Sequence, residues 1–194
     1  MNSYKCIFLD HDGVICLSSN WGGRSKKWAR YRSENPESST EKRDAPVFVR
    51  FDDFDKKAVR ILNQILEETG AEIVVSSDWK SWANVEETGE YYESQGIIRK
   101  PIALTPNQVD SSWYQDEPWT WSPRWYNEMT RVIEIKQYLH DHPEITHWVA
   151  IDDLNMGRDE EWKNWGLDNF VLTPRSNEGI KQSGIREKIL KHLK

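Results

Sequence analysis

The chain has 194 residues, enough for one domain with room for an inserted cap. A net charge of −6, with 37% hydrophobic and 30% charged residues, fits a polar globular protein and argues against a surface given over to nucleic acid. No apolar run approaches the roughly 20 residues of a membrane span, and Met1-Asn2-Ser3-Tyr4-Lys5 leads straight into a strand pattern, so a cytoplasmic location with no membrane partner is expected. Cys6 and Cys16 lack zinc spacing and are expected to be reduced thiols.

In chain order, Cys6 to Leu9 is a short apolar run that reads as a buried strand ending in Asp10-His11-Asp12-Gly13. Residues 18–50 are expected to form a cap or flap inserted in a single domain spanning 1–194; up to residue 46 this stretch is polar and rich in Ser. Val59, Leu62, Ile65 and Leu66 predict a helix over 55–69, capped by Asp55 and closed by Gly70. Ala71 to Val75 is the next predicted strand, followed by Ser76-Ser77-Asp78-Trp79. A helix over 84–95, a strand at Ile102 to Leu104, a Trp-rich loop over 107–123 and a helix over 126–142 come next. His147 to Ile151 predicts a strand leading into Asp152-Asp153, and Phe170 to Leu172 another before a helix at 183–193.

Alternating strands and helices predict an α/β fold, a doubly wound parallel sheet. Ligands bind such sheets beyond the carboxyl ends of the strands. Asp10/Asp12, Ser76/Ser77 and Asp152/Asp153 each follow a predicted strand, so three distant stretches converge on one sheet edge. Carboxylates brought together repel unless a cation sits among them. All the donors are oxygens, which favours a hard ion such as Mg²⁺ over zinc. A carboxylate can attack phosphorus, and a second one two residues away can protonate the leaving oxygen and then activate water. Phosphoryl transfer also needs donors on the phosphoryl oxygens, for which a Ser76 hydroxyl and a nearby cation are suited. Gly13 permits a tight turn beside them.

These residues carry a family resemblance. Phe8-Leu9-Asp10-His11-Asp12-Gly13-Val14 resembles motif I of the haloacid dehalogenase (HAD) superfamily. Ile73-Val74-Val75-Ser76 resembles motif II, and Val149-Ala150-Ile151-Asp152-Asp153 resembles the acidic motif IV. Motif III asks for a basic residue at the start of the helix before motif IV. Arg131 fits that place, and Lys136, about one and a half turns on, is the second choice. Ser76-Ser77-Asp78-Trp79-Lys80 and Arg131-Val132-Ile133-Glu134-Ile135 further resemble the HAD domains grouped with Swiss Army knife RNA-repair proteins, with Lys80 in place of Arg and Val132 in place of Gly. The resemblance implies a Mg²⁺-dependent phosphatase with Asp10 as nucleophile and Asp12 as acid/base. It also implies phosphate binding by Ser76, Ser77 and Arg131. Metal would be held by Asp10, the Asp12 main-chain carbonyl, Asp152 and Asp153.

The substrate is open between a nucleotide or nucleic-acid terminal phosphate and a small phosphorylated metabolite. A binding module that kept the fold without turnover is the contrasting class, which the intact Asp10/Asp12 pair disfavours. Arg24, Lys26, Lys27, Arg30 and Arg32, interleaved with Trp28 and Tyr31, form a basic aromatic tract suited to a nucleic-acid backbone and its bases. Such a run is more commonly a solvated surface. Trp79 and Trp82 read first as packing residues, while Trp113, Trp119, Trp121 and Trp125 suit either cap packing or a substrate cleft.

Overall fold

A computed structural model of the chain describes residues 4–38, 41–107, 123–157 and 166–194. A five-stranded parallel sheet lies at its centre: β1 (Tyr4–Leu9), β2 (Glu72–Val75), β3 (Ala103–Leu104), β4 (Ile145–Asp152) and β5 (Phe170–Leu172), in the order β3-β2-β1-β4-β5. The chain winds from β1 through β2 to β3 on one side, then returns to β4 and β5 on the other. The order therefore reverses at β1, where α/β sheets open a crevice for ligands.

Alternation along β1 splits the core. Ile7 and Leu9 face one layer with Val59, Leu62, Ile65 and Leu66 of helix α3 (Lys56–Thr69) and Ile185, Ile189 and Leu193 of α6 (Ile185–Leu193). Cys6 and Phe8 face Val132, Ile135 and Tyr138 of α5 (Pro123–Asp141). Helices on both faces make this the doubly wound α/β sheet expected of the alternating pattern. The Asp55 side chain accepts from the Lys57 and Ala58 amides to start α3, and Gly70 ends it at φ 67°. Asn84 and Glu87 form a reciprocal capping box at the start of α4 (Val85–Ser94).

Two boundaries differ from expectation. Helix α5 starts at Pro123 rather than 126, because proline's missing N–H costs nothing in a first helical turn. Strand β4 runs from Ile145 and includes Asp152, because pairing with β5 continues to Asp152 opposite Leu172. Between β1 and α3 lie α1 (Gly23–Glu34), which buries no residue, a short 3-10 turn, and α2 (Val47–Arg50). Both cysteines are buried free thiols, and among the described residues no helix is long and apolar enough to cross a membrane. Trp113, Trp119 and Trp121 lie outside the described residues, as does the Trp125 side chain.

Candidate active site

The hydrogen-bond ladder runs one residue past the strand ends. Thr105 N–H donates to Val75, Ser76 N–H to Leu9, Asp10 N–H to Ile151 and Thr173 N–H to Asp152, each at 2.9–3.1 Å. One buried polar residue from each strand therefore lines the same edge of the sheet, in the order Thr105, Ser76, Asp10, Asp152, Thr173. After Asp10 the chain reverses at Gly13, whose φ is +70°. A Cβ there would come within 2.3 Å of the Asp153 carboxylate, so glycine is required on both conformational and steric grounds. Thr173 Oγ1 donates to the Gly13 carbonyl at 3.1 Å and ties this turn to β5.

Carboxylate oxygens of Asp10, Asp152 and Asp153 all lie within 4.8 Å of one another. Burial, then the Asp152 charge, pushes Asp10 well above the usual carboxylate range against the pull of Arg131. Burial likewise raises Asp152, and burial with the adjacent Asp152 raises Asp153 to about 6. More negative charge is gathered here than the protein's own cations neutralise. That deficit, and a donor set made only of hard oxygens, fit a divalent cation. The Asp12 side chain is not one of these three grouped carboxylates, though its charge is felt by Asp153. Its Oδ2 instead accepts the Trp79 indole N–H at 2.9 Å.

Arg131 sits about two turns into α5, not at its start as expected. Its long side chain still reaches the sheet edge. Nη1 donates to Asp10 Oδ1 at 3.0 Å and to Asp152 Oδ2 at 2.9 Å, while Nη2 donates to Asp78 Oδ1 at 2.7 Å. Lys136 is half-buried about one and a half turns further along the same helix. Ser76 and Ser77 are both buried at the end of β2. Ser77 lies beside the Asp10 carboxylate and, at 3.5 Å, its Oγ accepts the Trp79 amide, whereas the buried Ser76 hydroxyl finds no partner among the described residues. An unsatisfied buried hydroxyl next to the Asp10 carboxylate along the sheet edge is a donor available to a ligand.

The 3-10 turn Asp78–Ser81 after β2 connects these parts. Asp78 receives Arg131 and Trp79 holds Asp12, while buried Lys80 meets Glu134 of α5 at 2.5 Å, Thr105 Oγ1 at 3.0 Å and the Pro106 carbonyl at 3.0 Å. Turn residues 78 and 80 thus pair with helix residues 131 and 134. The sequence offered both segments but no sign of this cross-pairing. The two partners lie more than fifty positions apart, and no local pattern links them. His11 turns into the opposite layer. Its Nε2 meets the Tyr92 hydroxyl at 2.7 Å and its ring packs on Phe54 and Trp79, and burial pushes its pKa down to about 3.

The HAD domain model of Swiss Army Knife RNA repair proteins matches residues 6–185. The chain belongs to this family. Asp10, Asp12, Ser76, Arg131 and Asp152 all fall within the matched HAD domain, as does the turn that links them. Membership supports a hydrolase of the HAD type, and the acidic cluster suits the metal ion such hydrolases usually employ. No curated protein and no solved structure matches the chain.

Proposed function

We propose that the protein is a cytoplasmic Mg²⁺-dependent phosphomonoesterase that works through an aspartyl-phosphate on Asp10, with segment 18–50 as its cap. The observation that carries this reading is the meeting of Asp10, Asp152 and Asp153 with the Arg131 guanidinium at the sheet edge. A carboxylate held beside a buried cation and an unsatisfied hydroxyl is equipped for attack on a phosphoryl group.

An Asp10 carboxylate oxygen attacks phosphorus as the ester P–O bond breaks, and the departing oxygen takes the proton of the Asp12 carboxyl. The Asp12 carboxylate then takes a proton from water, whose oxygen attacks phosphorus. The acyl-phosphate P–O bond breaks, giving inorganic phosphate and a free Asp10. Arg131, Ser76 and Ser77 bind the phosphoryl oxygens. Asp10, Asp152, Asp153 and the Asp12 carbonyl would hold Mg²⁺, which when bound would supply positive charge to the Asp10 carboxylate and the phosphoryl oxygens.

The substrate class we favour is a nucleotide or nucleic-acid terminal phosphate, supported by the family's setting in RNA repair. One observation favours a small phosphorylated metabolite instead: Arg24, Lys27 and Arg30 of the basic tract are paired with Asp52, Asp53 and Glu34. Phosphate release from p-nitrophenyl phosphate, a metabolite panel and 5′- and 3′-phosphorylated oligonucleotides separates the two. Chelation should abolish release and Mg²⁺ restore it. Asp10→Asn should lower kcat by about 10⁴-fold or more with an unchanged melting temperature, and beryllium fluoride should add to Asp10. Turnover that survives chelation, or an adduct on another residue, overturns the assignment.

A further inference from the structure

Trp79 is only 4% exposed, and its indole is held between rings. Phe51 stacks on it at 4.4 Å with an interplanar angle of 2°, Phe54 packs at 5.6 Å and 20°, and His11 closes in at 4.7 Å. Clamping the plane of the indole fixes the direction of its N–H. A buried indole N–H requires an acceptor, and here that acceptor is Oδ2 of Asp12, at 2.9 Å. The carboxylate is half-buried beside the Cys16 thiol, and its last side-chain torsion is broad and roughly two-fold, so a donor of fixed direction narrows its orientation.

We propose that Trp79 is a positioning residue for Asp12: its N–H pins one carboxylate oxygen, so the other is held toward the leaving-group oxygen. This rests on the reading of Asp12 as acid/base. Orientation set before the reaction removes a reorganisation cost from the step in which the proton moves. The restraint also extends beyond the site. Phe51 and Phe54 flank the stretch joining α2 to α3, so the segment between β1 and α3 helps aim the acid/base through the Trp79 ring.

The test compares an alkyl with an aryl phosphate, because kcat/KM reports steps up to transfer of the phosphoryl group to Asp10. An alkoxide needs Asp12's proton to depart, whereas p-nitrophenolate does not. Trp79→Phe keeps an aromatic ring and deletes the N–H. Replacing the indole by benzothiophene at position 79 deletes the N–H while keeping both rings, and serves if the phenyl ring packs poorly. For either, kcat/KM on glycerol phosphate should fall about tenfold, a part of the roughly 10²–10⁴-fold that general acid catalysis contributes, while kcat/KM on p-nitrophenyl phosphate stays near wild type. Trp82→Phe, at an exposed ring, should leave both unchanged. Equal losses on the two substrates would mean that Trp79 only supports the fold, and no loss on either would mean that its N–H is idle; both overturn the proposal. A wild-type protein that releases phosphate from neither substrate, nor from any in the wider panel, would instead overturn the phosphatase reading on which it rests.

Discussion

Two regions use the same ion-pair chemistry to opposite ends. Where the turn Asp78–Ser81 meets α5, Lys80 pairs with Glu134 at 2.5 Å, with side chains 6% and 7% exposed. On α1, Arg30 pairs with Glu34 at 2.8 Å, but these side chains are 81% and 56% exposed. Distance does not separate them; solvent does. Water and salt screen the α1 pair and leave it exchangeable, whereas the buried pair feels a strong field and has no solvent to fall back on. The first region can therefore fix geometry, and the second can give up its partners to an incoming anion.

Among the residues of these two regions and their neighbours on α5, the largest effect should come from Arg131, which joins the buried network to the carboxylate cluster. Arg131→Ala removes the donor shared by Asp10 and Asp152, and kcat should fall by about 10²–10³-fold, as when a transition-state donor is deleted. Lys136→Ala should leave turnover near wild type, because Lys136 lies about one and a half turns beyond Arg131 along α5. Kinetics of the two variants on p-nitrophenyl phosphate decide the matter. A greater loss from Lys136→Ala would reverse the assignment.

Next comes the Lys80–Glu134 pair, which sharpens the comparison through stability. Burial lowers the Lys80 pKa and raises that of Glu134, so each depends on the other to stay charged. Lys80→Met alone leaves a buried, unpaired carboxylate and should cost about 3–5 kcal/mol in denaturant unfolding. Adding Glu134→Leu removes that carboxylate and should recover most of the stability. A double variant less stable than the single would mean that the pair is not the source of the cost.

The sequence made the sheet legible because buried strands and the α3 face repeat with unmistakable periods. It made Asp10, Ser76 and Asp152 legible because each ends an apolar run. Arg131 is legible by resemblance, but its place in the helix is not, since a Pro-bounded, Trp-rich stretch conceals where α5 begins. Trp79 reads as a packing residue, which it is; periodicity says nothing about where an indole N–H points. Both the Trp79–Asp12 contact and the pairing of Lys80 with Glu134 arise only when the turn after β2 closes over α5 and the loop after β1.

The smallest effect on folding, and the most informative about substrate, belongs to α1. Trp28 and Tyr31 stack at 6.0 Å, and the Arg32 guanidinium lies over the Trp28 ring at 5.8 Å. Cations and rings thus share one exposed helix, the combination that grips a phosphate backbone and its bases. Arg30→Gln with Arg32→Gln removes the charge without setting a new carboxylate opposite Glu34, and the melting temperature should stay unchanged because neither side chain is buried. If an oligonucleotide runs along α1, kcat/KM on a terminally phosphorylated oligonucleotide should fall while p-nitrophenyl phosphate is spared. The slope of log kcat/KM against log salt should become shallower by about 0.7 for each phosphate that the variant no longer neutralises. An incoming phosphate must displace carboxylates already seated on the cations, so the release of counterions has to outweigh the exchange of Glu34 for a phosphate. An unchanged slope with unchanged rates would mean that the internal pairs win, and the small-metabolite reading would then take precedence.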